Sequence, residues 1–196
     1  MPGFADRASA VLRALGSAVA IHLRGREIPA LRLHQLAEIL APLQAETGGW
    51  LVINDRVDVA MACGARGVQL AGHSVPVGDV CDIAPALAVG VSVHSGDAAR
   101  SLAAALALPD WLVAGSVFET PSHPGRMGRG ISLIRDVAAA GIPVIAIGGL
   151  QPGHAAQLRA AGARGIATIR GIWDAEEPAE AAAQYLWAYG RSSTTR

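Results

Sequence analysis

Histidine titrates near neutrality and can pass a proton in either direction. Three histidines of this 196-residue chain stand near apparent strand ends: His22 in "AIHLRGR", His94 in "GVSVHS" and His123 in "VFETPSHPGRMGRG". Ser116 precedes that last stretch and adds a hydroxyl. No acid is placed to complete a hydrolase triad with Ser116 and His123, and the G-x-S-x-G elbow is absent. His94 and Ser92 share one strand face by alternation, and a lone histidine at a strand end is more often structural than catalytic. His22 shares its face with Arg24, and Arg24 and Arg26 could clamp an anion or form a solvated strand end.

A carboxylate and two glycine-rich loops carry the remaining chemistry. Asp55, in "INDRVDVA", could hold a magnesium ion, which takes oxygen ligands and usually a second carboxylate. It also stands just before a helical window, where an aspartate caps the first turn; with no obvious second carboxylate, the capping role is expected. Asn54 beside it is placed for ligand contact. "AIGGL" (146–150) and "TIRGIW" (168–173) each follow a strand and precede a helical turn. Paired loops of this kind bind phosphate through backbone amides, so Gly148, Gly149, Ile169 and Arg170 are the phosphate candidates. Arg24, Asn54, Ser92 and Gly130 are the remaining substrate-binding candidates.

Such residues need a scaffold that puts strand ends together. Short β-rich runs alternate with Ala/Leu-rich helical windows: 18–24, 50–55, 67–70, 88–94, 111–118, 143–149 and 165–169 read as strands. Several are apolar on both faces, as in a buried parallel sheet. The windows between them repeat apolar residues at helical spacing, as in "LRLHQLAEILAPLQAE" and "GHAAQLRAAG". Gly141 and Gly162 act as helix stops, and Ser95 as a cap. Sustained strand–helix alternation means α/β with right-handed crossovers. Polar groups at one end of every strand favour a (β/α)8 TIM barrel in one domain, 1–196. Only seven strands are found, and helix-like residues 3–15 precede the first. Barrel strand one is therefore expected to be missing from the N-terminus, leaving edges that a homodimer or an N-terminal covering would protect.

Bulk properties limit the partners. Hydrophobic residues make up 52% of the chain, and 16 basic residues balance 16 acidic ones. Neutrality gives no field for nucleic acid or an anionic membrane. No apolar run is long enough to span a bilayer, and the N-terminus lacks the pattern of a cleavable signal. Cys63 and Cys81 read as reduced packing residues. A cytoplasmic protein that handles a small phosphorylated ligand is expected.

"INDRVDVAMACGARGVQL", "GVSVHS", "VFETPSHPG" with "GRGISLI", "IPVIAIGGL" and "AGARGIATIRGI" occur in that order and resemble the thiamin phosphate synthase/TenI family. The resemblance covers about residues 18–173 and implies a (β/α)8 barrel that binds a thiazole phosphate. The synthase of that family joins a pyrimidine pyrophosphate to the thiazole phosphate with magnesium. Its Gln-x-Arg-x-Lys pattern reads here as His22, Leu23, Arg24, Gly25, Arg26; its second magnesium carboxylate falls on Ser74; its loop lysine falls on His123. The TenI branch, a metal-independent thiazole tautomerase, is similar in "SVHS" and "VFET", although its proton-transferring histidine falls on Ser116. On these departures the expected activity is the tautomerase, an isomerase without cofactor or metal, with His123, His22 or His94 moving the proton and Ser116 beside them. The alternatives are the synthase, with magnesium, and a non-catalytic protein that binds or responds to thiazole phosphate.

Overall fold

The computed structural model describes residues 3–25, 28–120, 125 and 127–190. Helix α1 (Phe4–Leu15) buries Ala8, Val11 and Leu12, one stripe at helical spacing. Helix α2 (Ala30–Thr47) does the same with Leu33, Ala37, Leu40, Leu43 and Gln44. The strands are β1 (Ala20–Leu23), β2 (Trp50–Asn54), β3 (Gly67–Leu70), β4 (Ala88–Val93), β5 (Trp111–Ala114), β6 (Val144–Ile147) and β7 (Ala163–Ala167). They follow one another in sheet order β1 to β7. The chain separates into two compact units, the first ending at Gly90 and the second beginning at Val91.

In the first unit β1, β2 and β3 pair in parallel, with His22 opposite Val52 and Asn54 opposite Gln69. Leu51 and Ile53 are buried on one face of β2 and Val52 on the other, so β2 brings two apolar faces into the core. The two strand starts are tied down by one side chain. Gln44 Oε1 accepts the backbone N–H of Leu51 and of Arg66, both at 2.9 Å, while its Nε2 donates to Gly64 at 3.0 Å and Ala41 at 3.2 Å. A buried glutamine is tolerable only because its acceptor and its donor are both used.

In the second unit β5, β6 and β7 pair in parallel. Helix α6 (Ser132–Ala138) buries Leu133, Ile134 and Val137, and helix α7 (Ala155–Ala160) buries Ala155 and Leu158. Helix α8 (Arg170–Trp173) is a single turn, and α9 (Pro178–Gly190) buries Ala182 and Tyr185. Tyr185 donates its hydroxyl to the Leu150 carbonyl at 3.0 Å, which anchors α9 beneath the chain that leaves β6.

Three expectations change at the level of local structure. The strand read as 111–118 ends at Ala114, because Val117 and Phe118 donate to Ile147 and Gly148 at the far end of β6 instead of continuing the ladder. The last strand runs over 163–167 and not 165–169, so Thr168 and Ile169 form the loop that starts α8. Asp55 does not cap helix α3 (Val57–Cys63): Arg56 holds the cap position without a side-chain bond, and the Asp55 carboxylate accepts the Ser74 hydroxyl. Asp55 sits at φ 64, a left-handed conformation that aspartate tolerates better than most residues. Ser95 does cap, accepting Ala98 N–H at 3.2 Å at the start of helix α5 (Gly96–Ala103).

Candidate active site

The first unit gathers His22, Asn54, Asp55, Gln69 and Ser74 at or beyond the ends of β1, β2 and β3. His22 projects from β1 with an exposed face and bonds the Asn54 side chain. Its pKa is pushed down to about 4, first by the surrounding protein, then by the Arg24 guanidinium, with the Asn54 bond acting in the opposite direction. Water reaching the exposed face screens part of that push. The ring is therefore neutral at pH 7, a hydrogen-bonding group and not a charge.

Asp55 is held from both ends. Its backbone N–H donates to Gln69 at 2.9 Å, and its carboxylate takes the hydroxyl of Ser74. Ser74 closes a small turn, since its Oγ accepts Ala71 N–H at 2.8 Å and its own N–H donates to Ala71 at 3.1 Å. The Ser74 hydroxyl thus orients the Asp55 carboxylate at the strand ends from 19 residues away. No group of three or more His, Cys, Asp or Glu that could hold a metal occurs among the described residues. The Asp55 carboxylate and Ser74 hydroxyl still fit a magnesium ion, because that ion is commonly bound by one or two carboxylates completed by water and substrate phosphate oxygens.

The second unit places Ser92 within β4, His94 just beyond it, Ser116 just after β5, and the two glycine-rich loops after β6 and β7. His94 Nδ1 lies 2.6 Å from the Gly115 carbonyl. Ser116 is half-buried, and its carbonyl accepts Arg129 N–H at 3.0 Å, while Gly130 N–H donates to Val117 at 2.8 Å. Gly130 thus closes a loop back onto the β5 end.

Gly148 and Gly149 both have positive φ, 104 and 65. A Cβ on Gly148 would come within 2.7 Å of Ser116 Cα, and one on Gly149 within 2.4 Å of the Glu119 carbonyl. The glycines are needed where two backbones touch, whatever their amides also bind. His154 braces this loop, accepting Gln151 N–H at 3.1 Å and packing its ring against Phe118 at a 43° tilt with centroids 4.2 Å apart. Arg170 opens α8 and reaches Thr120 Oγ1 with Nη2 at 3.2 Å, so its guanidinium bridges the β7 loop and the chain after Phe118.

Of the candidates chosen from sequence, His22 meets Asn54 and Gly148 lies against Ser116, whereas His123 and Arg26 lie outside the described residues. Four contributors had not been singled out for these roles: Gln69, Ser74 as a partner of Asp55, His154 and Tyr185. Gln69 and Tyr185 carry the one usable signal, a polar group in an otherwise apolar window, which must find a partner when buried.

Residues 4–172 match the family model described as thiamine monophosphate synthase. The chain is 42% identical over 150 residues to a thiamine-phosphate synthase of Deinococcus radiodurans, covering 75% of this chain and 52% of that protein. It is 35% identical to the thiamine-phosphate synthase of Pyrococcus furiosus, covering 83% and 78%. The chain therefore spans about half the length of the first relative and most of the second. The solved structure of a thiamine phosphate pyrophosphorylase from Pyrococcus furiosus superposes with a TM-score of 0.83 at 31% identity, over 95% of this chain and 89% of that one. The α/β barrel class expected from the strand–helix alternation is thereby shown. The tautomerase expectation is overturned: these relatives bear the name of the synthase, which stood as its alternative. The departures at His22, Ser74 and His123 were weighted too heavily against similarity sustained over the chain. No described helix is long and apolar enough to cross a membrane.

Proposed function

The chain belongs to the thiamine monophosphate synthase family, and from that premise we propose that it is a transferase joining a pyrimidine pyrophosphate to a thiazole phosphate. The observation that supports this most is similarity to proteins named as synthases, 42% and 35% identical, over most of the chain. The new bond joins the thiazole nitrogen to the activated carbon of the pyrimidine. That carbon's bond to the diphosphate oxygen breaks, and the electron pair leaves on diphosphate.

Asp55 and Ser74 would hold a magnesium ion, which when bound neutralises charge growing on the diphosphate. Arg24 supplies a permanent positive charge near the same strand ends. Neutral His22, fixed by Asn54, offers hydrogen bonds without competing for the cation. In the second unit Gly148, Gly149, Ile169 and Arg170 hold the thiazole phosphate, and Ser92 and Ser116 offer hydroxyls to the rings.

The purified chain incubated with pyrimidine pyrophosphate, thiazole phosphate and magnesium should release thiamin phosphate, detected by chromatography, and a chelator should stop it. Asp55→Asn should lower turnover by about 10²-fold or more, the scale of losing one preorganised charge contact. Absence of product from the unaltered chain would overturn the proposal.

A further inference from the structure

The synthase reading assigns no work to His94, yet its geometry is specific. The ring stands just beyond β4, and Nδ1 approaches the Gly115 carbonyl at 2.6 Å. A carbonyl can only accept, so Nδ1 carries the proton and donates it to Gly115. The contact crosses 21 residues and joins the ends of two strands. The backbone bond beside it, Gly115 N–H to Val93, is long at 3.4 Å. The imidazole is therefore the closer of the two ties holding Gly115 to β4.

What Gly115 carries makes the tie matter. A Cβ there would meet Ile147 Cγ2 at 2.5 Å and the Ile147 carbonyl at 2.6 Å, so the backbone lies directly on the β6 end. The next residues stay in that contact. Val117 donates to Ile147 at 3.0 Å, Phe118 to Gly148 at 2.9 Å, and Gly148 and Gly149 press on Ser116 and Glu119. A displacement at Gly115 must move Gly148 and Gly149, because close-packed backbones leave no slack to absorb it.

We infer that His94 is a positioning residue: its Nδ1–H holds Gly115, and through the 115–119 segment sets the Gly148–Gly149 loop that takes the phosphate. The inference rests on the synthase reading for the identity of the ligand, thiazole phosphate, but its structural half is independent of that reading.

Three substitutions separate this role from the alternatives. Asparagine places its amide nitrogen where Nδ1 stands, glutamine places its own near Nε2, and alanine supplies neither. Amide hydrogen exchange on the ligand-free proteins should accelerate at Val117 and Phe118 in His94→Ala and His94→Gln but not in His94→Asn. Calorimetry with thiazole phosphate should show affinity weakened by about fivefold to tenfold in the same two variants, the scale of one net hydrogen bond, with His94→Asn near the parent. In turnover the change should fall on KM for thiazole phosphate and leave kcat within about twofold, as loss of uniform binding does.

If His94→Gln recovers binding and His94→Asn does not, Nε2 touches the ligand and the inference is wrong. Unchanged exchange in all three variants also overturns it. Should His94→Ala fail to fold, the asparagine–glutamine pair decides alone. Should the parent make no thiamin phosphate, the synthase reading falls, while the exchange pattern still tests the tie.

Discussion

Gln44 offers the sharpest test of how the first unit is held together. Replacement by methionine keeps the length and most of the volume of the side chain but removes its oxygen and nitrogen. Two backbone donors, Leu51 N–H and Arg66 N–H, then lose their acceptor, and the Gly64 carbonyl loses a donor. The Leu51 amide is buried and cannot turn to water, so it carries a desolvation penalty of about 1–3 kcal/mol. Arg66 and Gly64 are partly exposed and recover water bonds, adding together about 1 kcal/mol. The burial gained by a thioether offsets a fraction of this. The net loss is about 1–3 kcal/mol, or roughly 5- to 150-fold in the folded-to-unfolded ratio. Urea unfolding followed by circular dichroism should show the midpoint fall with an unchanged slope. A loss below about 0.5 kcal/mol, the range of ordinary surface substitutions, would refute the claim that Gln44 carries the β2 and β3 starts. Gln44→Glu keeps the acceptor but buries a charge, and should unfold more easily as pH rises through the carboxyl's titration.

Gly149→Ala should abolish thiazole phosphate binding while Gly153→Ala leaves it intact, since a Cβ meets the Glu119 carbonyl at 2.4 Å at the first position and nothing within 4 Å at the second; equal affinities would show that the β6 loop can relax. His22 has a folded pKa depressed to about 4 against an ordinary 6.5. It therefore contributes stability that is present above pH 6.5 and is lost as the pH falls toward 4. His22→Gln should flatten the decline of the thermal midpoint across that window, and an identical decline in both proteins would mean the ring is already charged in the fold.

Much of the scaffold was legible because its signals are local. The β3 run "GVQL" is bounded in the structure as read from sequence, and Ser95 caps as its position predicts. Both follow from periodicity or turn chemistry within a few residues. The end of β5 was misread because 115–118 looks like a continued strand, and only the approach of Ile147 and Gly148 turns those amides aside. The activity was misread for a related reason. Ser74 appeared as a lost carboxylate when taken alone, whereas it orients the one carboxylate that remains.

The sequence by itself determined the alternation of strands and helices, the apolar stripes, and the glycines at the loop positions, because hydrophobic periodicity and backbone freedom are properties of short windows. The tertiary structure alone decided what those positions do. Asp55 meets Ser74 across 19 residues, His94 meets Gly115 across 21, and Tyr185 meets Leu150 across 35. Each meeting depends on strand register and on where a crossover returns the chain, and a hydrogen bond made or missed by an ångström is invisible to composition and spacing.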